Sequence, residues 1–67
     1  MTNEHSYQAF FLGAKDRIGE MRVIEAPDHI SARAVAKVML CQSEYTAVEV
    51  YECWRLVWRA EREPWAA

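Results

Sequence analysis

Six side chains in this sequence have types that could do chemistry: His5, His29, Cys41, Cys53, Glu49 and Glu52. A zinc centre needs ligands at short, defined spacing, such as C-x-x-C or H-x-x-x-H, and no pair among the histidines and cysteines stands that way. A cysteine nucleophile needs a base to draw off its proton. Cys41 falls late in an expected helix and Cys53 in an expected turn, and neither has a histidine partner identifiable from spacing. Glu49 and Glu52 suit acid–base work by type, yet a small single-layer domain offers little wall for a water-excluding pocket. Gly13 and Gly19 are the only glycines, which leaves no glycine-rich cradle for a phosphate. The expectation is a protein without catalytic activity, metal, cofactor or small-molecule ligand.

One further constellation points to nucleic acid. Trp54, Arg55, Trp58, Arg59 and Arg62 interleave aromatic and cationic side chains, a mixture that can stack bases and neutralise phosphates. Glu49, Glu52, Glu61 and Glu63 neighbour those arginines, and the pI of about 5.6 is far from a basic footprint. Nucleic-acid binding is therefore the alternative reading and not the first.

The elements that must position these residues are few. The chain has 67 residues, 52% of them apolar and 27% charged, with a net charge of -2, which is the balance of one folded domain. A domain this short buries only about 60% of the surface its unfolded chain exposes, so added stability from association is expected. The N-terminal residues do not read as a signal peptide, and the longest apolar runs fall far short of the roughly 20 residues that cross a bilayer. Both cysteines are accordingly expected to be reduced, the location cytoplasmic, and no membrane contact is expected.

Residues 7–12 are aromatic-rich and read as a strand, and residues 18–25 as a second, joined to the first as a hairpin. Pro27 stops that strand and Asp28 is a helix N-cap. Ala32, Val35, Ala36, Met39 and Leu40 then recur at spacings of three and four, predicting a helix over 29–42 with an alanine-rich apolar stripe. Residues 48–51 alternate as a third strand and residues 54–60 as a fourth. The fold class is α+β, ββαββ: one four-stranded, mostly antiparallel sheet in the order 2-1-3-4 with a single helix on one face. The whole chain, 1–67, is one domain, with an ordered core at about 7–60 and flexible tails at 1–6 and 61–67.

Strand register decides which side chains the helix covers. A three-residue loop, Glu52-Cys53-Trp54, would pair Val50 with Leu56 and Val48 with Trp58, sending Glu49, Tyr51, Arg55 and Val57 to the other face. Sorting the first hairpin by charge puts Tyr7, Ala9, Phe11, Met21 and Val23 under the helix. Phe10, Leu12, Ile18, Ile24, Tyr51 and Val57 then remain on the open face, among Gln8, Glu20, Arg22, Glu49, Arg55 and Arg59. Six large apolar side chains on one open face imply that something covers it.

Tyr7 with Leu12, Arg17-Ile18, Asp28, the alanine-rich run 32–36, Val48-Glu49-Val50-Tyr51 and Arg55-Leu56-Val57 together resemble a pattern in short uncharacterised bacterial ββαββ proteins. The resemblance spans most of residues 7–60. Asp16 and Cys53 stand near the hairpin turns, where such proteins usually carry glycine. The resemblance implies a fold and no activity or binding site.

The functional expectation is a small interaction module, self-associating as a homodimer through the outer sheet face or docking on a larger protein as a regulator or inhibitor. Its interface residues are Phe10, Leu12, Ile18, Tyr51, Val57 and Arg55. On this assignment Val57→Glu breaks association and spares the fold, whereas Met39→Asp unfolds the domain.

Overall fold

The computed structural model describes residues 4–62. The elements run β1 (His5–Leu12), β2 (Ile18–Ala26), α1 (His29–Cys41), β3 (Ala47–Glu52) and β4 (Arg55–Glu61), with a short 3-10 turn at Ala14–Asp16 between the first two strands. All neighbouring strands pair antiparallel, in the order β2-β1-β3-β4. β1 is central because it is apolar on both faces: Tyr7, Ala9 and Phe11 are buried on one side, while Phe10 and Leu12 lie on the other. β1 begins two residues before the expected boundary and β4 ends one residue after it, so His5, Ser6 and Glu61 belong to the sheet. The expected tails otherwise fall largely outside the described residues, as do Glu63, Pro64 and Trp65.

The helix starts where Asp28 accepts a hydrogen bond from the Ser31 backbone N–H at 2.8 Å, satisfying one donor that the first turn leaves free. Ala32, Ala36 and Leu40, four residues apart, are its buried stripe. Two alanines at the contact let the helix backbone approach the sheet closely. Val35, expected in the stripe, is exposed, and Met39 packs at the stripe's margin. At the far end Arg62 donates to the carbonyls of Leu40 and Ser43, so a residue just past β4 caps the helix.

Tyr7, Ala9, Phe11, Ile24, Ala26, Val48 and Val50 meet that stripe to form the core. Two register features differ from the sequence reading. β2 carries one extra residue at Gly19: Leu12 pairs with Ile18, but Phe11 pairs with Glu20. Tyr7 therefore faces Ile24, so Ile24 is core, and Met21 and Val23 turn outward opposite Phe10 and Gln8. Charge sorting failed here because Glu20 and Arg22 lie on the helix side at the sheet edge. They pair with each other there, and Glu20 also receives the Tyr45 hydroxyl at 3.4 Å.

The second hairpin turns through two residues, not three. Glu52 pairs with Arg55, and Cys53 and Trp54 both take left-handed backbone angles, with φ of 53° and 65°. This is the geometry that matches the strand twist in a two-residue hairpin. A bulge then absorbs Val57, so that Tyr51 pairs with Leu56 and Val50 with Trp58. Leu56 faces outward and Trp58 lies under the helix edge, with the Arg33 guanidinium over its ring at 5.8 Å.

Candidate protein-interaction face

Alternation carries Phe10 of β1 and Tyr51 of β3 to the side of the sheet opposite the helix. Their rings meet edge to face, 5.4 Å between centroids at 86°. The Tyr51 hydroxyl donates to Glu49 Oε1 at 3.1 Å, and this bond, followed by partial burial, holds the phenol above its ordinary pKa of 10.0. Glu49 also takes Arg59 Nη1 at 2.6 Å. Arg59 reaches Glu61 at 3.0 Å and Asp16 at 3.6 Å, so one rim of the face is a cluster of three carboxylates around a single guanidinium. Hydrogen bonds to Glu61 and then Glu49 raise the Arg59 pKa, so it stays cationic.

Around this aromatic pair lie apolar side chains from every strand. Met21 is 48% exposed, Val23 56% and Leu56 47%. Ile18 and Trp54, with Phe10, Glu49 and Tyr51, line a shallow depression of about 200 Å³. Trp54 is 82% exposed. Its position is costly to the chain: a residue with a Cβ loses about 1–2 kcal/mol in the left-handed region, and both turn residues carry one. No glycine or asparagine occupies this turn to relieve that strain.

The six residues expected at the interface separate into four groups. Phe10, Tyr51 and Ile18 lie on the open face and come together. Leu12 lies on the same side but is covered within the chain, at 4% exposure beside Ala47. Val57, drawn in by the bulge, packs against the core, which corrects its placement on the open face. Arg55 is exposed at the turn end of β4, opposite Glu52. Met21, Val23 and Leu56 are the members sequence reasoning missed, while Trp54, which the sequence left equally open as a partner site or as packed on the domain rim, stands exposed. The isolated Gly19 inside a strand was the available signal, since such a glycine marks a bulge that inverts every side chain beyond it.

The chemistry-bearing residues fall elsewhere. His5 Nδ1 lies 3.4 Å and His29 Nε2 2.9 Å from the two oxygens of Glu52, which ties the start of β1, the start of α1 and the end of β3 together. Sequence spacing gave no hint of this trio, because the three residues meet only through the sheet. Among the described residues no group of three or more His, Cys, Asp or Glu is placed to hold a metal ion. Cys41 and Cys53 are both exposed free thiols. Cys41 ends the helix and Cys53 adjoins Glu52, which touches its first residue. The helix between them is about 18 Å long, well beyond a disulfide's reach. Of the residues suited to nucleic acid, Trp58 is half-buried under Arg33, Arg59 is held by three carboxylates, and Arg62 caps the helix.

No protein-family model, curated protein or solved structure matches the chain. Among the described residues no helix is long and apolar enough to cross a membrane.

Proposed function

We propose that this protein is a non-catalytic interaction module that self-associates by stacking the outer faces of two sheets. The observation that carries the reading is Trp54, held 82% exposed in a left-handed turn and lining one shallow depression with Phe10, Ile18 and Tyr51. Backbone strain retained in an exposed turn is the mark of a position kept for something other than stability. An exposed tryptophan and a tyrosine lining one depression, with charged groups near it, are the residue types of an interface hot spot. A short domain also gains most from covering such a face. The intramolecular engagement of Arg59 and Arg62 disfavours the nucleic-acid alternative.

The test is light scattering on a sizing column across a concentration series, on the parent protein, Leu56→Glu and Val57→Glu. Leu56→Glu is expected to halve the assembled mass and keep the circular dichroism of the fold. Val57→Glu, which buries a charge against the core, is expected to destabilise the domain itself. A parent protein that is monomeric throughout, or an assembled mass that Leu56→Glu leaves unchanged, overturns the reading.

A further inference from the structure

We propose that the free edge of β2 pairs antiparallel with the β2 edge of a second copy, Met21 opposite Met21 of that copy, so that two four-stranded sheets become one of eight strands. This contact is separate from the face-to-face one, because it uses backbone groups and the helix-side residues Glu20 and Arg22.

The outward groups can be assigned from two bonds at the end of β1. The Thr46 N–H donates to the Leu12 carbonyl at 2.8 Å, and the Gly13 N–H donates to the Arg17 carbonyl at 2.8 Å. Leu12 thus bonds toward β3 and Gly13 toward β2. Strand residues alternate in the side to which they bond, so Phe11, Ala9 and Tyr7 bond to β2. Their register partners Glu20, Arg22 and Ile24 bond back to β1. Met21, Val23 and Glu25 are left presenting N–H and C=O groups at the free edge, and among the described residues no strand pairs with it.

The two edges of the sheet differ. β4 is interrupted at mid-length by the Val57 bulge, a device that blunts an edge. β2 is regular from Glu20 to Ala26, its one irregularity lies at its beginning, and it contains neither lysine nor proline. Such an edge is a template for another strand.

Charge selects the register. A two-fold centre at Arg22 would set two arginines opposite each other in the closer, non-hydrogen-bonded type of pair, which is repulsive. A centre at Val23 would set Arg22 against Ile24. A centre at Met21 sets Glu20 opposite Arg22 on both sides of the axis. It lets the two Met21 residues exchange both backbone hydrogen bonds and sets Val23 opposite Gly19, beside which the Tyr45 ring packs. Glu20 and Arg22 already pair within one chain, and the Tyr45 hydroxyl helps position the Glu20 carboxylate. Across the axis the four charges alternate in sign.

The experiment uses the full chain carrying Leu56→Glu, which disables the outer face. Light scattering is expected to show a dimer that Arg22→Glu weakens roughly 10- to 30-fold, as does Glu20→Arg in a separate variant. Mixing these two variants, each self-repelling but complementary to the other, is expected to restore a one-to-one dimer. Hydrogen exchange on the Leu56→Glu protein gives a readout that does not depend on either charge variant folding: Met21 and Val23 amides become protected as concentration rises, and Arg22 does not change. A monomeric Leu56→Glu protein overturns the edge pairing while leaving the face reading intact. Dimers indifferent to both charge changes, or Met21 amides that exchange freely in the dimer, overturn it as well.

Discussion

Replacing Cys53-Trp54 by Asn-Gly separates what the second hairpin turn does for the fold from what it does for association. Both residues sit at positive φ, 53° and 65°, and each carries a Cβ. Relief of that strain is worth about 2 kcal/mol for the pair, taking the low end for each residue. Glycine gives back up to about 1 kcal/mol through the freer unfolded chain. The net gain is about 1 kcal/mol, or roughly 4–8 °C in Tm for a domain of this size. Trp54 offsets little of this, because at 82% exposure its indole adds little to the core of the isolated chain. Association moves the other way. Truncating an interface tryptophan costs about 2 kcal/mol or more, which is roughly 30-fold in dissociation constant. The assay is urea unfolding followed by circular dichroism, at a concentration where both proteins are monomeric, since association itself stabilises. Light scattering at high concentration supplies the second half, and Cys53→Asn alone keeps the indole as a control. A double variant that is less stable as a monomer would show that Trp54 packs productively on its own chain. One that associates as well as the parent would remove Trp54 from the interface.

Two other changes test the local geometry. A Cβ on Gly19 would collide with the Tyr45 ring, so Gly19→Ala is expected to cost about 1–3 kcal/mol in urea unfolding. That loss should shrink in a Tyr45→Ala background, and an additive double variant would refute the contact. Asp28 is held below its ordinary pKa of 3.8 mainly by the Ser31 backbone N–H. A carboxyl whose folded pKa is lowered stabilises fully above its unfolded value and loses that contribution as pH falls through the folded one. Helix stability should therefore decline on acidification below about pH 4, and less steeply in Asp28→Asn, as followed by circular dichroism against pH.

Element order, strand pairing and the helix cap were all legible because each rests on local chemistry. Pro27 cannot donate, Asp28 can accept, and the apolar spacing in 32–40 has one period. What misled was parity. In β2 the pattern of charges at Glu20 and Arg22 suggested an outward face, but an edge strand meets water on both sides beyond the reach of the helix. Those charges find each other and Tyr45 there, while Tyr7 demands Ile24 opposite it. In the second hairpin, a three-residue loop kept Val50 aligned with Leu56 only by treating the strand as regular. The chain instead uses a tighter turn and returns the lost residue as a bulge at Val57. Each error is a one-residue shift, and each moves a whole set of side chains across the sheet. The candidate face was thus foreseen as a place but only partly in membership: Phe10, Ile18 and Tyr51 lie there, whereas Ile24 belongs to the core and Val57 packs against it.

The two proposed contacts have a geometric consequence when they are combined. Edge pairing that keeps Glu20 opposite Arg22 on the helix side requires a two-fold axis normal to the sheet, which leaves both outer faces pointing the same way. Face stacking requires a two-fold axis lying between the sheets and parallel to them. Axes of these two kinds that cross at right angles generate a closed assembly of four chains, and closure is what separates a soluble oligomer from a growing fibre. The bulged β4 edge fits such an arrangement, because it gives the assembly no second regular edge on which to extend. Each contact then has its own signature in mass. The parent protein is expected to be a tetramer at high concentration, Leu56→Glu to leave an edge-paired dimer, Arg22→Glu a face-paired dimer, and the two together the 7.8 kDa chain alone. A tetramer that either single change reduces directly to monomers would mean that the contacts form only together, and independent pairing by face and by edge would be refuted.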